Sequence, residues 1–234
     1  MEFVDSPDRN RSSKRSETLI TLVDESTSMK DRDWNPSRLA GAIEANSELI
    51  KEKASRHPRD RMGIIGFSGD ARVIHVEAGV GEHTLPLTQS LNSLRAKGST
   101  NFKAALKLAD VLLFGDSVDQ KQKPFRNLFS RLFLEFEVEA LPKPRSQSLK
   151  RILMLTDGGH NGGGSPMKTT SHLKEAGVVI DCIGIGGSPK AVNETLLKKI
   201  ASVDANGRIR YRFIGNQRQL VAEYQSLARH IRTV

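Results

Sequence analysis

The chain has 234 residues, of which 37% are hydrophobic, and carries 36 Lys and Arg against 27 Asp and Glu for a formal net charge of +9. That length supports one well-buried domain and is short for two, and no apolar run approaches the roughly 20 residues that a membrane-crossing helix needs. A single cysteine, Cys182, excludes an intrachain disulfide, and 5% aromatic residues supply few platforms for stacking single-stranded nucleic acid, so the basic surface points first to an acidic protein partner.

Residues 1–17 mix Asp5, Asp8, Arg9, Arg11, Lys14, Arg15 and Glu17 with serines and contain no apolar core of a secretory signal. They read as a flexible leader on a cytoplasmic protein. The run Leu19-Ile20-Thr21-Leu22-Val23 then reads as a buried strand, and Asp24-Glu25-Ser26-Thr27-Ser28 as the turn that ends it. Asn35-Pro36-Ser37 opens a helix whose face is Leu39, Ile43, Asn46, Leu49 and Ile50, running to about Ser55. Strands 61–68 and 71–76, joined across Gly69-Asp70, are connected too tightly for a parallel crossover and form an antiparallel hairpin at a sheet edge.

Helices and strands alternate from there: helices at about 84–94 and 101–114, strand 150–156, helix 167–176, strand 178–185, helix 190–202, strand 208–214 and helix 216–231. The alternation predicts an α/β, Rossmann-like, doubly wound and mostly parallel six-stranded sheet, with one antiparallel edge strand and helices on both faces. A single domain over 18–232 is interrupted by an insert at about 115–149, some thirty-five residues where roughly two to six are usual. In it Phe125, Leu128, Phe129, Leu132, Phe133 and Phe136 recur at helical spacing among Lys and Arg. They suit either a helix packed on the domain or an amphipathic docking element.

Chemistry concentrates at two strand ends. Asp24, Ser26 and Ser28 place one carboxylate and two hydroxyls in a turn, a donor set suited to a hard divalent cation such as Mg2+ or Mn2+ and not to Zn2+. Three donors are too few for an octahedral ion. Gly98-Ser99-Thr100-Asn101, entering a helix, and Leu155-Thr156-Asp157-Gly158-Gly159, closing a strand, are the segments able to complete it. In an open parallel sheet, ligands bind beyond the carboxyl ends of central strands where strand order reverses.

Asp-x-Ser-x-Ser, a later threonine and a strand-terminal Asp-Gly together resemble the metal-ion-dependent adhesion site (MIDAS) of the von Willebrand factor type A (vWA) domain family. The resemblance implies that Ser26, Ser28 and Thr100 offer hydroxyls to the metal, while Asp24 and Asp157 act directly or through water. It implies Mg2+, or Mn2+ or Ca2+, with one coordination position left for a Glu or Asp of a partner protein. The expected function is therefore metal-dependent protein binding without catalysis, as an adaptor or scaffold, with an AAA+ ATPase as one class of associate. Two alternatives stay open: a basic nucleic-acid-associated vWA protein, and a metal-dependent hydrolase using Glu25 or His160 as base.

Other residues are read more plainly. Trp34, beside Asp31-Arg32-Asp33 on the metal rim, is either an anchor for a partner or a cover for the helix start, and His160 is a candidate rim contact. Arg208, Arg210 and Arg212 alternate, which puts them on one face of the last strand as edge protection or as an anion-binding stripe. Cys182 lies in an apolar run and reads as a buried small residue. Gly184-Ile185-Gly186-Gly187-Ser188 lacks the lysine of a phosphate loop, and the six histidines show no zinc-ligand spacing.

Overall fold

A computed structural model of the chain describes residues 16–115 and 148–229. The leader expected at 1–17, apart from its last two residues, lies outside the described residues, and so does nearly all of the 115–149 insert with its phenylalanine spacing. The strands are β1 (Glu17–Asp24), β2 (Arg61–Phe67), β3 (Ala71–Gly79), β4 (Leu149–Thr156), β5 (Val179–Ile185) and β6 (Tyr211–Ile214). The helices are α1 (Arg38–Arg56), α2 (Thr84–Ser90), α3 (Phe102–Phe114), α4 (Met167–Glu175), α5 (Glu194–Ile200) and α6 (Gln217–Arg229).

The sheet runs β3-β2-β1-β4-β5-β6, and every neighbouring pair is parallel except β2 with β3. All eight residues of β1 are buried, because a central parallel strand is covered on both faces and so reads as a continuous apolar run. Period-two alternation divides its side chains. Leu19 and Val23 join the core under α1, α2 and α6, and Ile20 and Leu22 join the core under α3, α4 and α5. Side-chain caps set three helix starts: Ser37 accepts from the Ala40 amide, Asn101 from Ala104 and Asn193 from Leu196.

Several boundaries differ from the expected ones, among them the second hairpin strand, which runs on to Gly79. The helix read at 84–94 gives way after Ser90 to a 3-10 turn, Leu91–Ser93, and the one read from 190 begins at Glu194, behind the Asn193 cap. The last strand starts at Tyr211 in place of residue 208, since one Asp204 oxygen accepts the amides of both Asn206 and Arg208 and holds that stretch in a turn. β6 is an edge strand as expected. Arg210 reaches Asp181 at 3.4 Å, and Arg212 pairs with Glu223 of α6.

At the amino end of the sheet a charged network is sealed inside. Lys53 of α1 is 0% exposed and donates to Glu17 at 2.8 Å and to Asp60 at 2.7 Å, while Arg151 binds Asp181 at 2.6 Å. Burial pushes the Glu17 carboxyl above its ordinary value, opposed by Lys53 and Arg151. Among the described residues no helix is long and apolar enough to cross a membrane.

Candidate metal centre

The parallel pairing of β1 with β4, with Val23 opposite Leu155, carries both strand ends to one point. β1 leads through α1 to β2 on one side, and β4 leads through α4 to β5 on the other, so the crevice between them is the switch point of the sheet. Asp24 is fully buried there. One of its oxygens accepts the Ser26 amide at 2.7 Å and the other the Thr156 hydroxyl at 2.6 Å. Burial pushes its carboxyl up to about 7 against those bonds, and the neighbouring Asp157 charge adds to the rise.

Around it the hydroxyls converge as the sequence spacing predicts. Ser28 Oγ donates to Oδ1 of Asp157 at 2.7 Å, Ser26 Oγ lies 3.4 Å from the same oxygen, and the two serine oxygens are 3.1 Å apart. Three oxygens thus form a triangle whose sides bracket the edge, about 3.0 Å, of an octahedron with Mg–O distances of about 2.1 Å. The donor set and its dimensions fit a hard divalent cation. Among the described residues no group of three or more His, Cys, Asp and Glu is placed to hold a metal ion, so a softer ion that prefers nitrogen or sulfur has no comparable site there.

Thr100 comes from the loop before α3 and is buried. Gly98, at φ +82°, turns its carbonyl toward the first loop, where it accepts both the amide and the hydroxyl of Thr27. On the other side the Thr100 amide donates to the Asn161 side chain, and the Asn161 amide donates back to the Thr100 carbonyl. Gly158 borders this junction: a Cβ there would stand 3.6 Å from Thr100 Oγ1 and 3.9 Å from Ser28 Oγ. All five expected ligand residues, Asp24, Ser26, Ser28, Thr100 and Asp157, therefore gather at one place.

Four further residues shape the site in ways the motif does not reveal. Arg38, in the first turn of α1, donates to Oδ2 of Asp157 at 2.9 Å and to both oxygens of Asp33 at 2.9 and 2.7 Å. The guanidinium holds the Asp33 carboxyl below its usual range. Its one sequence signal is position, since a cation in a first helical turn opposes the helix dipole. Glu25 is buried and turned away from the serines, with its carboxylate bound by Arg72 and by the Arg95 amide. Asn161 and Thr156 act through the bonds already given.

Of the two rim residues, Trp34 takes the second of its two expected roles and His160 is tied into the fold through both ring nitrogens. Trp34 is 4% exposed and lies on α1 at Gly41, where a Cβ would approach the indole to 2.8 Å. It covers the helix start and offers no surface to a partner, which corrects the anchor role. His160 accepts the Phe102 amide on Nδ1, so Nε2 carries the proton and donates to the Gly164 carbonyl at 2.7 Å. Its ring stacks on Phe102 with centroids 5.4 Å apart. It fastens the loop after β4 to the start of α3.

An open α/β sheet with an oxygen-lined cradle at its switch point defines a domain of the doubly wound α/β class. The von Willebrand factor type A domain profile matches residues 19–160, and a second profile of that domain matches 132–220. The chain belongs to the vWA domain family. It is 26% identical over 208 residues to the uncharacterized protein YfbK of Escherichia coli K12, covering 87% of this chain and 30% of that protein. The chain thus spans less than a third of that relative.

Among solved structures it superposes on a von Willebrand factor type A protein of Catenulispora acidiphila with a TM-score of 0.63 at 16% identity, over 92% of this chain and 42% of the other. It also matches proximal thread matrix protein 1 of the mussel byssus, a structure with a zinc-occupied MIDAS motif. There the TM-score is 0.63 and the identity 18%, over 92% of this chain and 48% of the other. At those identities the likeness establishes the fold.

Proposed function

We propose that this domain binds another protein through a divalent cation held by Asp24, Ser26, Ser28, Thr100 and Asp157. The observation that carries the reading is the oxygen triangle of Ser26, Ser28 and Asp157, assembled from two strand ends at spacings an octahedral ion requires. Asp24 and Thr156 brace the first turn, and Asn161 braces Thr100. When bound, the metal supplies a Lewis-acid position for a Glu or Asp of the partner. The zinc-occupied MIDAS of the mussel protein supports metal binding at the equivalent motif. The oxygen-only donor set favours Mg2+, with Mn2+ and Ca2+ as the other candidates.

Binding without catalysis is the reading that the side chains support. A hydrolase needs a base beside the ion. Glu25 is held by Arg72 and the Arg95 amide, and both nitrogens of His160 are engaged. The nucleic-acid alternative draws on net charge, while Arg210 and Arg212 of the basic stripe pair with Asp181 and Glu223. An adaptor role in the cytoplasm, with an AAA+ ATPase as one class of partner, is part of the proposal.

The test has two arms. Purified protein is titrated with Mn2+ and followed by electron paramagnetic resonance, with wild type and Asp157→Ala. Immobilised wild type and Asp24→Ala are then presented to native lysate with Mg2+ or with EDTA. Saturable Mn2+ binding lost in Asp157→Ala, and a partner retained only by wild type with Mg2+, are the expected results. A partner indifferent to both EDTA and Asp24→Ala would sink the mechanism.

A further inference from the structure

The metal reading leaves one buried cation unexplained. Arg38 has a side chain only 10% exposed, and its guanidinium is ringed by three carboxylates. Nε and Nη2 bond the two oxygens of Asp33 as a fork, and Nη1 lies 3.3 Å from Asp31. The same Nη1 donates to Asp157 Oδ2 at 2.9 Å. Asp157 is thereby divided: Oδ2 faces Arg38, and Oδ1 faces Ser28 and Ser26.

We infer that Arg38 is a resident cation of the site, which fixes the oxygen that Asp157 turns to the serines and keeps the affinity for a divalent ion low. The inference rests on reading the cradle as a metal site. A carboxylate already paired with a guanidinium offers less charge to a second cation, and a guanidinium this buried is weakly screened by salt. Asp33 and Asp31 return part of the lost negative charge, so affinity is a balance among four groups. The consequence is linkage. An ion held loosely by the free domain is held firmly once a partner carboxylate completes its shell, and the ion strengthens the partner by the same factor.

A clamp that only holds the loop at 31–33 against the turn after β4 makes the opposite prediction. If Arg38 merely positions Asp157, removing it loosens the site and weakens the ion. If its charge competes, removing it strengthens the ion. The sign decides.

The experiment titrates Mn2+ alone into the full chain, by electron paramagnetic resonance at fixed low ionic strength, for wild type, Arg38→Gln, Arg38→Lys and Asp33→Asn. Glutamine keeps an N–H donor toward Asp157 without the charge. Lysine keeps the charge without the fork. Arg38→Gln is expected to tighten Mn2+ by about tenfold, Arg38→Lys to bind no tighter than wild type, and Asp33→Asn to weaken binding by about threefold or more. A folded Arg38→Gln that binds Mn2+ no better than wild type overturns the inference. If Arg38→Gln does not fold, Asp33→Asn decides, and an unchanged or tighter affinity there overturns it. Absence of Mn2+ binding in wild type and in every variant defeats the metal reading itself; measurable wild-type binding that ignores these charges defeats only the role of Arg38.

Discussion

Ser28 and Asp157 are 129 residues apart in the chain, yet the Ser28 hydroxyl donates to Oδ1 of Asp157 at 2.7 Å. That bond joins the loop after β1 to the turn after β4 without a bridging side chain. Both oxygens lie where a cation would replace the shared proton as the group that holds them together. Ser28→Ala is therefore expected to reduce Mn2+ affinity by at least about tenfold, no less than the loss of an outer-shell partner costs. Ser28 is half-buried in the 3-10 turn Thr27–Lys30, and losing its bond to the buried Asp157 carboxylate should cost about 1–3 kcal/mol of stability. Parallel metal titration and thermal melts check both values. A loss of stability without loss of affinity would make Ser28 a loop brace.

The loop carrying the serines is held from behind at Gly66. A Cβ on Gly66 would stand 2.2 Å from Oε2 of Glu25, and Glu25 cannot swing aside cheaply because Arg72 and the Arg95 amide hold its carboxylate. The Gly66→Ala variant is expected to lose about 1–3 kcal/mol and to weaken metal binding through displacement of the Ser26 turn. Denaturant melts with and without Mn2+ separate the two effects. A wild-type midpoint in the variant would show that Glu25 has another place to go.

How much of this was legible in the sequence follows from what each residue's position depends on. Asp24, Ser26, Ser28 and Asp157 follow the ends of apolar runs, and a strand end is a local property, so their meeting at the switch point could be read from the sequence, whereas Thr100, in the loop before α3, was placed only by the family resemblance. Arg38 could not, because its partners Asp33 and Asp157 are 5 and 119 residues away and their meeting depends on how α1 docks. Trp34 was ambiguous for a similar reason: the slot that buries it is the missing side chain of Gly41, on the following helix. The alternation of Arg208, Arg210 and Arg212 suggested a longer strand, but Asp204 captures the amides of Asn206 and Arg208 and Ile209 bridges back to Val203, so the strand begins at Tyr211. Local polar competition of this kind overrides period-two patterning.

Asp110 of α3 carries a pH-dependent cost. Burial raises its carboxyl above its ordinary value, opposed by His172 of α4 at 3.6 Å. An acid that holds its proton more tightly when folded makes the protein lose stability as pH rises through the folded value. Asp110→Asn removes the charge that burial penalises, so its melting point should exceed that of wild type at neutral pH. The gap should close in acid, below the ordinary carboxylate value, where Asp110 is protonated in both the folded and the unfolded chain. Melting curves across that range check the sign, and a variant less stable than wild type at neutral pH would show that the pairing with His172 outweighs burial.

Lys53 sets the strongest expectation for the fold as distinct from the site. It is sealed between Glu17 and Asp60 at the amino end of the sheet, whereas the cradle stands at the carboxyl end, so the two ends can be perturbed separately. Lys53→Met keeps most of the volume, leaves Asp60 without its cation and leaves Glu17 with Arg151 alone at 3.7 Å, and removing one partner of a buried pair costs about 3–5 kcal/mol. Burial already raises the Glu17 carboxyl, and Lys53 is the leading influence that pulls it down. Without Lys53 the carboxyl rises further and takes up a proton more readily. The deficit of Lys53→Met should accordingly shrink as pH falls through the raised folded value, where protonation relieves the buried charge, and grow as pH rises. Unfolding across that pH range, with Mn2+ affinity measured on the folded variant, separates this lock from the metal centre. A deficit that does not change with pH would mean that the carboxylates find water or another cation once Lys53 is gone.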